Sequence, residues 1–292
     1  MNLETDFIGL KLKNPLFIAS GIAGFGEEYS RIINLNILGG FITKTVTLKQ
    51  RIGNPPPRII EVQSGIINTI GLENPGIEKF IQEKMPFIRK YFNIPVIISI
   101  GGETIEEFVR IVKKLDKLEG ISAIELNLSC PNVRKKTNFT KLISQDTKLT
   151  YSVIKAVKKN TCYPVVTKLT PAVTDITEVA IVCQEAGSDA ISLINTYPAL
   201  SFSKSEPRSV IAGGLSGPCI KPIALRMVYE VAKRVNIPIM GMGGICSADD
   251  VIDFISAGAK TVAIGSALFR NPKLPEQILS YLTKKSKYGE NN

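Results

Sequence analysis

Residues 165–194 begin with Val165-Val166-Thr167-Lys168 and end with Ala190-Ile191-Ser192-Leu193-Ile194. Both runs are short, apolar and β-branched, which is typical of buried parallel strands rather than helices. Between them, Thr174-Asp175-Ile176-Thr177-Glu178 loosely resembles a capping box at the start of a helix. The stretch therefore predicts a strand, a helix and a second, parallel strand.

The same alternation continues along almost the whole chain. Six further apolar runs have this character: Leu16-Phe17-Ile18-Ala19, Gly40-Phe41-Ile42-Thr43, Val96-Ile97-Ile98-Ser99, Ala123-Ile124-Glu125-Leu126, Pro238-Ile239-Met240-Gly241 and Thr261-Val262-Ala263-Ile264. Eight strands alternating with helices over about 250 residues predict a (β/α)8 TIM barrel, a single α/β domain over residues 1–292. A doubly wound open sheet is the alternative, because alternation alone does not define topology.

Three long segments interrupt the regular pattern: residues 45–75, 131–145 and 196–217. Each follows a predicted strand, which in a barrel places it on the C-terminal face, where active sites form. Long loops in compact domains are commonly functional. The first fifteen residues predict a small hairpin that caps the opposite end.

The chain of 292 residues contains no histidine. This excludes the Ser-His-Asp triad, Cys-His pairs and zinc bound by HExxH. Proton transfer near neutral pH then requires a perturbed Cys, Lys, Asp, Glu or Tyr, or a bound cofactor. The five cysteines are scattered and never form CxxC, so we expect neither a disulfide framework nor a metal site.

The formal net charge is +10. Nucleic-acid binding is one interpretation, but the lysines are spread along the chain, and attraction of small anions is favoured. No apolar run approaches the ~20 residues of a membrane span, and the amino-terminal residues lack a signal-peptide pattern. We therefore expect a cytoplasmic protein that binds neither membrane nor nucleic acid.

Polar side chains recur where the predicted strands end. These positions are Ser20, Lys44, Ser99, Asn127, Lys168 and Asn195. In a barrel the strand ends converge on one mouth, and buried polar groups need partners. Lysines and carboxamides together suit a flat, oxygen-rich anionic ligand.

The last two β/α turns are rich in glycine: Gly241-Met242-Gly243-Gly244-Ile245 and Ile264-Gly265-Ser266-Ala267. Glycine permits close backbone approach, and free N–H groups where a helix begins favour an anion. Loops after strands 7 and 8 are the usual phosphate site of barrel enzymes. Because neither turn fits GxGxxG, a mononucleotide such as flavin mononucleotide (FMN) is favoured over NAD.

Cys130 lies between two carboxamides in Asn127-Leu128-Ser129-Cys130-Pro131-Asn132. A thiol near its ordinary pKa of 8.5 is a fair base if lysines and amide donors lower that pKa. From the spacing alone, an inert turn cysteine is an equally good interpretation.

Long motifs resemble one known family. They are Asn127-Leu-Ser-Cys-Pro-Asn132, Gly53-Asn54-Pro55, Gly71-Leu-Glu-Asn-Pro-Gly76, Lys168-Leu-Thr-Pro171, Ile194-Asn195-Thr196, Gly213-Gly-Leu-Ser-Gly-Pro218 and Gly241-Met-Gly-Gly-Ile245. From about residue 3 to 275 the chain resembles a class 1 dihydroorotate dehydrogenase, most like the class 1B catalytic subunit. The run Lys221-Pro-Ile-Ala-Leu-Arg-Met-Val-Tyr-Glu230 resembles class 1B in particular.

The resemblance implies FMN-dependent oxidation of dihydroorotate to orotate, the redox step of pyrimidine (UMP) biosynthesis. It implies Cys130 as the base that removes the C5 proton, Lys168 as a fixed cation beside the flavin, and Lys44 against both ligands. Implied substrate contacts are Lys44, Asn68, Thr69, Ile70, Gly71, Leu72, Asn127, Asn132, Asn195 and Thr196. Implied FMN contacts are Ser20, Lys44, Thr45, Ser99, Asn127, Lys168, Ile194, Gly217, Gly243, Gly244, Gly265 and Ser266.

The resemblance also implies partners. Class 1B chains carry one FMN and pass electrons to a subunit that holds FAD and a 2Fe-2S cluster and reduces NAD, in a heterotetramer built on a catalytic homodimer. A class 1A homodimer that uses fumarate stays open, as do another dihydropyrimidine, a dihydrouridine in RNA, and an inactive scaffold. Three sites depart from the family pattern: Ser99 replaces a common Asn, Ala172 another, and Arg134-Lys135-Lys136 a Gly pair.

Overall fold

The computed structural model describes residues 3–128, 142–202 and 210–289, with side chains up to residue 285. Its strands are β1 Thr5–Phe7, β2 Leu10–Leu12, β3 Leu16–Ile18, β4 Phe41–Ile42, β5 Val46–Thr47, β6 Ile59–Val62, β7 Gly65–Asn68, β8 Val96–Gly101, β9 Ala123–Asn127, β10 Val165–Lys168, β11 Ala190–Leu193, β12 Tyr197–Phe202, β13 Val210–Ser216, β14 Ile239–Met242 and β15 Thr261–Ile264. Its α-helices are α1 Ile77–Lys79, α2 Met85–Tyr91, α3 Ile105–Leu115, α4 Thr147–Lys158, α5 Ile176–Glu185, α6 Lys221–Ala232, α7 Ala248–Ser256, α8 Ala267–Arg270 and α9 Leu274–Gly289.

Eight parallel strands form the predicted barrel. Their order is β3-β15-β14-β11-β10-β9-β8-β4, and every apolar run identified in the sequence supplies one of them. The two ends of this order meet where the backbone N–H of Gly39, just before β4, donates to the Leu16 carbonyl of β3 at 2.9 Å. The TIM-barrel prediction is therefore confirmed, and the open sheet is not formed.

Helix starts follow the cap residues of the sequence, with one correction. Ser247 caps α7 by accepting from the N–H of Asp250 (3.1 Å), as its position before an acidic first turn predicts. At α5 the cap is Asp175 and not Thr174, because the Asp175 carboxylate accepts from the N–H of Thr177 at 2.8 Å. The capping-box interpretation was therefore one residue out of place.

The predicted amino-terminal hairpin is present as β1 and β2, which pair antiparallel. Its two inward residues, Phe7 and Leu12, are buried among side chains near the amino ends of the barrel strands. The hairpin thus closes one end of the barrel with hydrophobic side chains. We call this region the lower interior; it comprises Phe7, Leu12, Phe17, Ile42, Ile97, Ala123, Val166, Ala190 and Met240.

Two residues further along four of the same strands, the inward positions become polar. Because side chains alternate between the two faces of a strand, Ile97, Ala123, Val166 and Ala190 are each followed by a polar residue on the same face. These residues form the upper interior: Ser99, Glu125, Lys168 and Ser192. All four are at most 5% exposed. The barrel therefore has a hydrophobic lower half and a polar upper half.

A second sheet lies at the carboxyl ends of the barrel strands. Its order is β12-β13-β7-β6 and all its pairs are antiparallel. The sequence predicted loops at 45–75 and 196–217. That prediction was incomplete, because both segments contribute strands to one sheet. We call this sheet the mouth sheet. The third predicted loop, 131–145, lies mostly outside the described residues.

Candidate active site

A cavity of about 370 Å³ opens at the carboxyl ends of the barrel strands, between the barrel and the mouth sheet. It gathers most of the site residues that the sequence predicted. Those that line it are Ser20, Lys44, Thr45, Asn68, Ile70, Gly71, Leu72, Asn127, Lys168, Ile194, Asn195, Thr196, Gly217, Gly243, Gly244, Gly265 and Ser266.

Four predicted residues are not among those that line the cavity. Ser99 is fully buried in the upper interior, behind Thr45. Thr69 instead accepts a hydrogen bond at its hydroxyl from Asn54 Nδ2 (2.9 Å). Cys130 and Asn132 lie outside the described residues.

The cavity is also lined by residues that the sequence did not predict: Ala19, Gly21, Ile22, Ile59, Ile66, Glu73, Ser216, Ile220, Met242, Ala263 and Phe269. Ala19, Met242 and Ala263 could have been found, because they occupy inward positions at the carboxyl ends of predicted strands. Ile59 and Ile66 could not, because they reach the cavity only through the mouth sheet.

The two predicted catalytic lysines differ in their surroundings. Lys168, at the end of β10, is only 5% exposed, and its side chain forms no hydrogen bond or ion pair with another described residue. Burial lowers the pKa of Lys44, and the negative charge of Glu73 partly opposes that effect. Glu73 is itself paired with Arg58. The cavity thus contains a nearly buried lysine, Lys168, and a second lysine, Lys44, whose pKa is lowered.

Hydroxyl and carboxamide groups form a connected wall on one side of the cavity. Thr45 Oγ1 lies 3.1 Å from Ser20 Oγ and accepts from Asn127 Nδ2 at 3.0 Å. Asn127 Oδ1 accepts from Asn195 Nδ2 at 3.4 Å, and Asn195 Oδ1 accepts from the N–H of Thr196 at 2.8 Å. These contacts join residues of four different segments, so the wall is assembled only by the fold.

The glycine-rich turns after β14 and β15 form the other side. Gly243 and Gly244 have φ values of +123° and +80°, a backbone region that disfavours other residues. A Cβ added at Gly265 would meet no atom within 4 Å, so that glycine faces open space. The N–H groups of Gly243, Gly244, Gly265 and Ser266 donate to no other described residue. These groups are available to an anion.

An ionic cluster supports the first of these turns. Lys221, at the start of α6, pairs with Asp250 and with Asp253 (2.8 Å) of α7. Asp250 also accepts from the backbone N–H of Cys246 at 2.8 Å. Burial alone would raise the pKa of Asp250, but hydrogen bonds from Lys221, Cys246 and Ser247 outweigh burial and lower this pKa to about 2. The turn is therefore tied to two helices by a carboxylate that stays ionised.

The side chains present fit FMN. Four N–H groups that donate to no described residue suit its phosphate, and a nearly buried lysine without an ion-pair partner among the described residues suits an electron-rich ring. Ala19, Ile194, Met242 and Ala263 provide apolar surface between these polar groups. Within the described residues, no group of acidic, cysteine or histidine side chains could hold a metal ion, and no helix is long and apolar enough to cross a membrane.

Comparison with known proteins identifies relatives over nearly the full length. Residues 2–285 match the sequence model of the family described as Dihydroorotate dehydrogenase. The chain is 49% identical to the "Dihydroorotate dehydrogenase B (NAD(+)), catalytic subunit" of Caldicellulosiruptor bescii, covering 98% of this chain and 95% of that protein. It is 46% identical to the protein of the same name from Thermodesulfovibrio yellowstonii, covering 95% and 91%.

A solved structure shares the fold. The crystal structure of DHODH from Eimeria tenella in complex with ferulenol superposes with a TM-score of 0.80 at 21% identity. The match covers 98% of this chain and 86% of that one. This likeness supports the barrel architecture and nothing finer.

Proposed function

The chain belongs to the dihydroorotate dehydrogenase family, and from that premise we propose that it oxidises dihydroorotate to orotate as the FMN-binding catalytic subunit of an NAD-linked enzyme. It would do so as a single barrel domain over residues 1–292. The observation that carries the proposal is the cavity itself. It combines two lysines, three carboxamides and two glycine-rich turns at one barrel mouth.

The substrate is flat, anionic and rich in carbonyl and N–H groups. Asn68, Asn127 and Asn195 line the cavity and offer both donors and acceptors, which suits such a ring. Lys44 supplies a positive charge for the substrate carboxylate. Substrate binding is therefore assigned to the side of the cavity that carries the carboxamides.

FMN is assigned to the side of the cavity that carries the glycine turns. Gly243, Gly244, Gly265 and Ser266 would hold its phosphate through their N–H groups, and Lys168 would lie beside its ring. When bound, FMN supplies the two-electron acceptor that oxidation of the substrate requires. Lys168, held in place by burial, would favour negative charge on the ring without any rearrangement of solvent.

Removal of the proton at C5 of the substrate is assigned to Cys130, the base that the sequence resemblance indicates. In a chain without histidine, a thiolate is a suitable base near neutral pH. Removal of the C5 proton is the part of the reaction that this chain's own side chains perform directly.

Electrons would leave through a partner. The relatives are named as catalytic subunits of an NAD(+) enzyme, so we assign NAD reduction to a second subunit with FAD and a 2Fe-2S cluster. Two catalytic chains and two such subunits would form a heterotetramer. The chain alone is then expected to oxidise dihydroorotate with an artificial acceptor but not with NAD.

An anaerobic absorption experiment tests the proposal. The purified, FMN-loaded chain should show a flavin spectrum that orotate perturbs and that dihydroorotate bleaches. The rate of bleaching should fall by about 10²-fold or more in Cys130→Ser at pH 7 and recover partly at high pH, because a hydroxyl is a weaker acid than a thiol and ionises only at higher pH.

Cys162→Ser, at an exposed cysteine that is not among the cavity-lining residues, is the matched control and should behave as wild type. A flavin that stays oxidised with dihydroorotate would overturn the assigned reaction. Rapid turnover of the isolated chain with fumarate would instead indicate a class 1A enzyme.

A further inference from the structure

A carboxylate lies in the barrel beneath the cavity, where the proposed reaction does not use it. Glu125 is fully buried in the upper interior. Its two oxygens accept hydrogen bonds from Ser99 Oγ (2.9 Å) and Ser192 Oγ (3.2 Å). Moving a polar side chain out of water opposes folding, so the presence of Glu125 here invites a role other than stability.

Only one of the two serines continues towards the cavity. Ser99 Oγ lies 3.0 Å from Thr45 Oγ1, and Thr45 is in contact with Asn127, as described above. Within the described part of the chain, the Ser192 hydroxyl forms no contact beyond Glu125. The two serines thus share a partner and a burial state, and differ in whether they connect to the site.

The carboxylate fixes the direction of every hydrogen bond along the Ser99 branch. Ser99 Oγ donates to Glu125 Oε1, and a hydroxyl has only one proton to give. Ser99 Oγ can then only accept from Thr45, so the hydroxyl proton of Thr45 is directed at Ser99. Thr45 in turn can only accept from Asn127, and this requires the nitrogen end of the Asn127 carboxamide to face Thr45.

The observed orientation of Asn127 agrees with this requirement. Its Nδ2 faces Thr45, and its Oδ1 therefore faces Asn195 Nδ2. A reversed Asn127 would place an oxygen against a hydroxyl with no proton left to share. The direction set at Glu125 is thus transmitted through three side chains to a pair of carboxamides that line the cavity.

We propose that Glu125 is a positioning residue: through Ser99 and Thr45 it fixes which end of the Asn127 carboxamide faces Asn195, and so sets the donor and acceptor pattern presented to the substrate ring. This inference rests on the proposed function, because it takes an orotate-like ring as the ligand. Ser192 anchors the other carboxylate oxygen and has no part in the transmission.

Matched serine variants test the proposal without changing Glu125 itself. Ser99→Ala breaks the branch, whereas Ser192→Ala removes an equivalent hydroxyl outside it. The dissociation constant of orotate is measured on each FMN-loaded protein from the change in flavin absorption. We expect it to rise about fivefold in Ser99→Ala, the effect of one ordinary hydrogen bond, and to stay within about twofold of wild type in Ser192→Ala.

A double-mutant cycle extends the test. Thr45→Val interrupts the same branch one link later, so Ser99→Ala should have no further effect on orotate binding in that background. Ser192→Ala should retain its small effect there. A merely structural role for Glu125 would instead lower the thermal midpoint and weaken binding equally in both single serine variants.

The outcomes distinguish the role of Glu125 from the proposed function. If wild type binds orotate and the two serine variants bind it alike, or if Ser99→Ala and Thr45→Val are additive, this inference is overturned while the proposed function stands. If orotate leaves the wild-type flavin spectrum unchanged, the proposed function fails and the inference falls with it.

Discussion

The lower and upper halves of the barrel interior are built on the same strands and are equally buried, yet they differ completely in chemistry. Ala123 in the lower half is followed two residues later by Glu125, and Val166 by Lys168. Burial of the lower half stabilises the fold through the hydrophobic effect. Burial of the upper half opposes folding unless each polar group is paired. The difference teaches that the upper half is retained for the site above it.

The largest expected effect breaks the lower half. Phe17→Ala removes a fully buried ring that lies 6.3 Å from the ring of Phe7 and should lower the free energy of unfolding by about 4 kcal/mol. Urea denaturation measures this change. Phe202→Ala, at a 55% exposed position, is the control and should change stability by less than about 0.5 kcal/mol. A Phe17→Ala protein as stable as wild type would refute the assigned role of the lower half.

The next effect concerns the upper half and should separate activity from stability. Lys168→Met removes a nearly buried amino group that has no ion-pair partner among the described residues. We expect orotate formation to slow by about 10²–10³-fold, as for loss of a fixed electrostatic group in an active site. The unfolding free energy should stay level or rise. Parallel loss of stability and activity would contradict the distinction drawn between the two halves.

The ionic cluster of Lys221, Asp250 and Asp253 should differ from both halves of the barrel interior, because its contribution to stability depends on pH. The pKa of Asp250 is about 2 in the folded protein, against an ordinary value of 3.8. Its contribution to stability is therefore fully present above about pH 4 and is lost as pH falls through 2. Asp250→Asn should cost about 1–2 kcal/mol at pH 7 and progressively less below pH 4.

The gap in stability between wild type and Asp250→Asn is measured from the urea midpoints of both proteins between pH 7 and pH 3. The deficit of Phe17→Ala, which involves no titrating group, serves as the pH-independent reference. A gap between wild type and Asp250→Asn that stays constant down to pH 3 would contradict the lowered pKa of Asp250.

The smallest expected effect on stability is at Gly265. Because an added Cβ would meet no protein atom within 4 Å, Gly265→Ala should change the unfolding free energy of the FMN-free protein by less than about 0.5 kcal/mol. The methyl group would enter the cavity, so FMN affinity should fall about tenfold, or 1.4 kcal/mol. Fluorescence titration of the FMN-free protein measures this affinity.

Gly241→Ala is the contrasting control, since its Cβ would lie 2.6 Å from Phe254 Cδ1 and should destabilise the fold. Unchanged FMN affinity in Gly265→Ala would remove Gly265 from the phosphate site.

The sequence was sufficient for the barrel because each strand carries its own local signal. The apolar runs at Val165 and Ala190 are buried on both faces, and their composition alone predicts this. The mouth sheet lacks such a signal. Its pairing of Asn68 with Gly214 joins distant segments rich in glycine, and long-range pairing of this kind leaves no local pattern.

The sequence predicted site residues that belong to contiguous motifs and line the cavity directly. It did not predict residues that act on the cavity through another side chain. Lys168 and Gly243 end predicted strands, and both line the cavity. Ser99 ends a strand too, but its side chain is directed at Glu125 and Thr45, beneath the cavity surface. Glu125 sits within an apolar run, where only the barrel geometry reveals its connection to Asn127.

The mouth sheet has a consequence for how the protein is made. Asn68 in β7 precedes its partner Gly214 in β13 by 146 residues. At a synthesis rate of about 5–20 residues per second, the ribosome needs roughly 7–30 s to deliver that partner after β7 has been made. Strands β8 to β11 emerge during this interval. Six of the eight barrel strands, β3, β4 and β8 to β11, have therefore been made before the mouth sheet can form over the ligand pocket, and the pocket is among the last parts to be completed.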